Sequence, residues 1–243
     1  MELISLAPSN TEVLCELGAY EQIVATTSLC DYPDGVRKLP SVGGWTEGID
    51  FEKIESLDPD LVLTSDRLQE EVLKELESRK IPSLHVEPTT PEEVYESILT
   101  IGEAIGEKEA AEDLAENMRE EIESIELGGA RIYCEEWMNP PMVSGNWVPG
   151  LVKKAGGEYM ISEGARSSEV SLEEVRKFDP EYIFLNVCGA GRNVNVHDIK
   201  EREGWSSLTA FRKGNVYVVD DALLNRPGPR LVEGISLIES YVS

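Results

Sequence analysis

The side chains best suited to ligate a metal or attack an electrophile are two histidines, His85 and His197, and four cysteines, Cys15, Cys30, Cys134 and Cys188. The cysteines are scattered and none forms a C-x-x-C pair, so neither a zinc ribbon nor a redox dithiol is signalled. They read as reduced or buried thiols. His85 has one potential partner nearby, Glu87, on the same face of a strand. A transition-metal site needs more ligands converging than that, so His85 reads as structural or solvent-facing and no metal site is expected. Cys188 follows a strand, but a thiolate nucleophile needs a base or a positive neighbour and the sequence names none. The chain has no G-x-S-x-G elbow, no G-x-x-x-x-G-K-[ST] phosphate loop and no H-E-x-x-H. Gly189-Ala190-Gly191 lacks the third glycine of a dinucleotide fingerprint and reads as a flexible loop. No catalytic residue is expected, and the chain reads as a binder rather than an enzyme.

Binding chemistry is better represented. Tyr32, Trp45, Trp137, Met142 and Trp147 are amphipathic groups suited to a large flat ligand, because aromatic rings combine contact area with little side-chain entropy. Packing into the core is the competing use of each. Two proline-rich stretches, Asn139-Pro140-Pro141 and Arg226-Pro227-Gly228-Pro229-Arg230, make rigid walls. Arg226 is placed to meet a carboxylate, amide oxygen or phosphate.

The elements that must position these residues alternate. Short apolar strands at Leu3–Leu6, Ile23–Thr27, Leu61–Thr64 and Ser83–Val86 are separated by helical patterns ending at Gly18, starting near Asp50, and running over 69–79 and 91–105. The second half repeats this, with strands at 131–134, 182–187 and 216–219 and helices over 147–155, 172–177 and 230–241. Such alternation predicts an α/β fold with parallel sheets. Between the halves, Ala111, Leu114, Ala115, Met118, Ile122 and Ile125 recur at helical spacing without a strand partner. A helix of that length spans roughly 27 Å and would serve as a strut. The expected organisation is two similar lobes, 1–106 and 128–243, joined by one rigid connecting helix over 107–127, with a ligand cleft between the lobes. In parallel sheets ligands sit at the carboxyl ends of strands, so the loops at 7–10, 28–33, 65–67, 135–147 and 188–192 are the informative ones.

Composition limits the partners. A net charge of −25 with a pI near 4.4 repels phosphate backbones and anionic lipid, which excludes nucleic acid as a partner. No apolar run approaches the roughly 18–20 residues of a membrane span. The start, Met1-Glu2-Leu3-Ile4-Ser5, carries no export signal. As written the chain reads as cytoplasmic, the alternative being an extracytoplasmic protein whose leader is removed.

Several segments resemble a known family. Ser5-Leu6-Ala7-Pro8-Ser9-Asn10-Thr11-Glu12, Cys30-Asp31-Tyr32-Pro33, Val42-Gly43-Gly44-Trp45 and Asp58-Pro59-Asp60-Leu61-Val62 are similar to the first lobe of vitamin B12-binding proteins of ABC importers. Asn139-Pro140-Pro141-Met142-Val143-Ser144-Gly145 and Arg226-Pro227-Gly228-Pro229-Arg230 are similar to the second. The resemblance implies a substrate-binding protein of the helical-backbone type that holds cobalamin or a related corrinoid as ligand and delivers it to an ABC permease, and the chain is expected to act as a monomer. It places Pro8, Tyr32, Trp45, Met142 and Arg226 at the ligand, and the loops add Ser65, Trp147 and Cys188. Ser65, Ser167 and Leu223 stand where the resemblance implies further aromatics, and Met142 itself replaces one. Glu52 and Glu173, each near a helix start, match the acidic residues that dock the family on its permease. A ferric chelate or haem is the alternative ligand, and an intracellular corrinoid-handling protein or enzyme the alternative role.

Overall fold

Short apolar strands buried on both faces need helices to cover them, and each half of the chain supplies them. A computed structural model describes residues 1–44 and 46–242. They form two units, Met1–Pro88 with Tyr95–Glu116, and Thr89–Val94 with Asn117–Ser243.

The first unit runs β1 (Leu3–Ser5), α1 (Pro8–Glu16), β2 (Ile23–Thr26), a small ribbon of β3 (Gly43–Gly44) and β4 (Gly48–Ile49), α2 (Phe51–Ser56), β5 (Leu61–Ser65), α3 (Glu70–Ser78) and β6 (Ser83–Val86). Its sheet has the order β2-β1-β5-β6 with every pairing parallel. Leu3, Ile4, Val62 and Leu63 are sealed from solvent, as doubly covered strands require. On one face Ile4, Leu6 and Val62 pack with Ala25, Ile54 and Leu76. Pro8 opens α1, where its missing N–H costs nothing and its fixed φ suits the helix.

Two long helices follow, α4 (Pro91–Ile105) and α5 (Lys108–Ser124). Ala111, Ala115, Met118 and Ile122 form the buried stripe of α5 read from the sequence. The chain passes between the units within both helices, since the first turn of α4 belongs to the second unit and α5 crosses after Glu116. That first turn is held inside the second unit by Glu92, which accepts from Lys154 at 2.8 Å and Arg119 at 3.4 Å. The bond from Lys154 keeps the Glu92 carboxyl below its usual range. Gly150 lets Pro91 approach, because a Cβ there would stand 2.6 Å from the proline Cδ.

The second unit continues through β7 (Arg131–Met138), β8 (Pro141–Val143), α6 (Val148–Lys154), β9 (Glu158–Tyr159), β10 (Ser168–Glu169), α7 (Leu172–Phe178), β11 (Tyr182–Leu185), α8 (Val196–Lys200), α9 (Thr209–Lys213), β12 (Val216–Val218) and α10 (Leu231–Val242). Its sheet runs β10-β8-β7-β11-β12, with β9 pairing the start of β7. The expected parallel pairing holds for β7, β11 and β12. Strands β8 and β10 join antiparallel, an addition too short to be marked in the sequence. Strand β7 also runs past Cys134, because a bulge between Glu135 and Trp137 resets its register against β8. The extra residue places Glu135 inside and Trp137, only two positions on, 48% exposed.

Candidate functional site

Each unit gathers its distinctive residues at the carboxyl ends of its parallel strands. In the first unit those ends are tied together by side chains. Gln69 donates to the Leu6 carbonyl at 2.7 Å and accepts from the Ser65 amide at 2.8 Å, while Asn10 donates to the Thr64 carbonyl at 3.1 Å. The backbone groups left over where the strands stop are thereby satisfied, and the loops that carry Pro8 and Ser65 are fixed. Cys30 is buried against the hydroxyls of Thr11, at 3.1 Å, and Thr27, at 3.3 Å. It anchors the turn from which Tyr32 stands out, 37% exposed. Ser28 and Thr46 both donate to the Glu47 carboxylate, at 2.6 and 2.7 Å, and these bonds hold it below the usual range. A shallow pocket of about 190 Å³ opens beside this loop, lined by Thr27, Ser28, Cys30, Arg37 and Ser41. Ser65 is 5% exposed and Pro8 half-buried. Trp45 lies outside the described residues. His85 shares a hydrogen bond with Thr64 at 2.9 Å and stands 3.8 Å from Glu87, and among the described residues no cluster of three metal-ligating side chains occurs.

In the second unit, Met142 pairs with Trp137 across the β7–β8 ribbon, so the two side chains share a face. Behind that face lies a buried ion pair. Glu135, sealed from solvent, receives Arg202 through two bonds of 2.8 and 2.7 Å and the Tyr133 hydroxyl at 2.9 Å. Arg202 also donates to the Met138 carbonyl at 2.7 Å, and its guanidinium lies 4.8 Å from the Trp205 ring centre. The pair thus clamps the ribbon at its turn. Burial pushes the Glu135 carboxyl above the usual range against the pull of Arg202.

The loops after β11 and β12 are built around Asp221 and Asn186. Asp221 accepts from the amides of Gly189 and Gly191, both at 2.8 Å, and so ties the glycine loop to the loop after β12 at two points. Cys188 at the head of that loop is exposed and feels Arg226, which supplies the positive neighbour that the sequence alone did not reveal. Partial burial of its sulfur, with Asp221 and Glu136, outweighs that pull and raises the thiol above its usual range even though the residue as a whole is exposed. Arg226 is half-buried. Trp147 is 7% exposed and its indole N–H donates to the Leu224 carbonyl at 2.7 Å, which places it inside the unit, beneath the Arg226 segment. Burial raises the thiol of Cys15 to about 11 and that of Cys134 to about 12.

Glu52 and Glu173 are both exposed, at the second position of α2 and α7 respectively. Asp50 caps the first helix, and Ser171 with Glu174 forms a capping box on the second. Neither glutamate is used for capping.

The residues that sequence reasoning missed are Glu135, Arg202, Asn186, Asn225 and Gln69. One signal was available: Glu135 continues the alternation of the apolar strand Ile132-Tyr133-Cys134, and a carboxylate at such a position calls for a charged or hydrogen-bonding partner.

The profile of the family described as periplasmic binding protein matches residues 3–223. The chain is 28% identical over 249 residues to a Bacillus subtilis protein named as an uncharacterised ABC transporter substrate-binding lipoprotein, a match covering 96% of this chain and 77% of that protein. It is 26% identical over 245 residues to the vitamin B12-binding protein of Vibrio campbellii, covering 96% of this chain and 86% of that one. Among solved structures, a Staphylococcus epidermidis protein described as a possible iron-binding, periplasmic solute-binding protein superposes with a TM-score of 0.83 at 24% identity, over 99% of this chain and 98% of that one.

Proposed function

This chain belongs to the periplasmic binding protein family, in its two-lobed α/β form with a helical backbone, and from that premise we propose that it captures an iron- or cobalt-centred macrocycle or chelate for an ABC importer. The family binds solutes without catalysis, and the role assigned is binding and delivery by a monomer in an extracytoplasmic setting, in preference to the cytoplasmic one. The residues assigned to the ligand are Pro8 and Tyr32 in the first unit and Met142, Cys188 and Arg226 in the second, with Trp45 assigned on the resemblance alone. Ser65 and Trp147 stand behind them as support. The observation that carries the reading is that each unit sets amphipathic side chains near the carboxyl ends of its own parallel strands, exposed Tyr32 in the first, and exposed Trp137 paired with half-buried Met142, with a half-buried Arg226, in the second. That combination suits a flat ligand with peripheral oxygen acceptors.

Haem or a ferric chelate stands first. Ser65 and Leu223 are each 5% exposed, and the Ser167 hydroxyl is spent on the Gly145 amide at 2.9 Å. None of the three offers the aromatic platform that the resemblance to vitamin B12-binding proteins implies. The corrinoid is the second reading, favoured by the Vibrio campbellii relative. Glu52 and Glu173 are proposed as the permease contacts, one on each unit, where two linked ion pairs gain effective concentration.

Titration with haemin, ferrichrome and cyanocobalamin, followed by tryptophan quenching and visible absorbance, separates the ligands. The expected result is one ligand binding tighter than about 1 µM. Reversal of both glutamates, Glu52→Lys with Glu173→Lys, should abolish association with the permease while leaving that affinity intact. Absence of binding to all three probes removes the ligand reading; unchanged docking removes the permease contacts.

A further inference from the structure

Asn186 immediately follows β11 and is sealed from solvent, as is Ser144 just after β8. Its amide donates to the Ser144 hydroxyl at 2.9 Å and to the Asn225 side-chain oxygen at 2.6 Å, and its own side-chain oxygen lies 3.3 Å from the same serine hydroxyl. Asn225 returns a bond to the Asn186 carbonyl at 2.9 Å, and the Asn186 amide N–H donates to the Glu135 carbonyl at 3.1 Å. Every polar group of this asparagine is therefore used inside the protein, which leaves it nothing to offer a ligand directly. What it does is join three loops. Ser144 follows β8, Asn186 precedes the Cys188 loop, and Asn225 immediately precedes Arg226.

The segment leading to Arg226 has a second tether, the Trp147 indole on the Leu224 carbonyl at 2.7 Å, and a third from the Asn225 amide to the Asp221 carbonyl at 2.8 Å. An arginine on a long flexible stem contributes to binding in proportion to how little freedom it has left to lose. We propose that Asn186 is a positioning residue for ligand binding, which fixes the Asn225–Arg226 segment so that the Arg226 guanidinium meets a carboxylate or amide oxygen on the ligand rim. The proposal rests on the reading of the chain as a solute binder. It explains why an asparagine is needed: aspartate would turn an acceptor toward the Asn225 oxygen, and an aliphatic residue would leave Ser144 and Asn225 unsatisfied.

The test is a double-mutant cycle with the full chain, using whichever of haemin, ferrichrome and cyanocobalamin the unaltered protein binds. Asn186→Asp, Arg226→Gln and the double variant are compared, with Asn225→Ala as the second route should Asn186→Asp fail to fold. Each single change should weaken binding about five- to tenfold. Because Asn186 acts through Arg226, the double variant should bind no worse than Arg226→Gln within about twofold. Hydrogen exchange over 223–230 should quicken in Asn225→Ala while 131–135 keeps its protection. Single effects that multiply in the double variant would show a merely structural asparagine and overturn the proposal, the solute-binding reading surviving. An unaltered protein that binds none of the three probes would instead end that reading, and the proposal with it.

Discussion

Removing the Arg202 side chain should be the most damaging single change outside the backbone of the second unit. Arg202→Ala leaves Glu135 fully buried with two guanidinium bonds gone, the case in which breaking a buried pair costs about 3–5 kcal/mol. Loss of the contact with the Trp205 ring at 4.8 Å adds about 0.5–1 kcal/mol. A total of about 3.5–6 kcal/mol is a large part of the roughly 5–15 kcal/mol that holds a domain together. Glu135→Gln should cost less, about 1–2 kcal/mol, because Arg202 retains 14% of its surface in solvent and can rehydrate. The pH dependence provides the control. Burial already holds the Glu135 carboxyl above its usual range, and without Arg202 it must rise further. A carboxyl whose folded pKa exceeds its unfolded one binds protons on folding, so the Arg202→Ala variant regains stability as pH falls through that raised value. Its deficit against the unaltered protein should therefore shrink between pH 7 and pH 5. Adding Glu135→Gln to Arg202→Ala should recover stability at pH 7. Urea unfolding followed by tryptophan fluorescence reads this, since Trp137, Trp147 and Trp205 all lie in the second unit. A deficit under about 1 kcal/mol, or one that stays constant with pH, would refute the account of the pair as a buried charge held by its partner.

Two further outcomes are expected. Ser171→Ala removes the capping box of α7 and should cost about 1 kcal/mol in urea unfolding, with Glu174 no longer held below its usual range. With a net charge of −25, the protein should melt at higher temperature as sodium chloride rises from about 10 mM to 1 M, because screening relieves self-repulsion that the compact state concentrates; a flat melting temperature would show that the acidic groups are already spaced beyond mutual influence.

What the sequence discloses and what it conceals divide along contact range. The helix over Lys108–Ser124 and the strands at 61–65 and 83–86 are readable because their signals are local: a buried stripe at helical spacing, or a run of β-branched and aliphatic residues between turns. Strand β7 is readable only to Cys134, since the bulge that carries it to Met138 breaks the period on which the reading depends. The site is harder still. Glu135 and Arg202 are 67 positions apart, and Asn186 and Asn225 are 39 apart, so no window of sequence contains either pair. Cys188 shows the same limit from the other side. Its positive neighbour Arg226 exists, but so do Asp221 and Glu136, and only their joint placement decides that the thiol is raised above its usual range. A residue type at a plausible loop is therefore enough to nominate a ligand contact, whereas the rigidity that makes such a contact count comes from partners that only the fold brings near. For the Arg226 segment those partners are Asn186, by way of Asn225, and Trp147, and on the reading proposed above neither would need to touch the ligand to affect how tightly it is held.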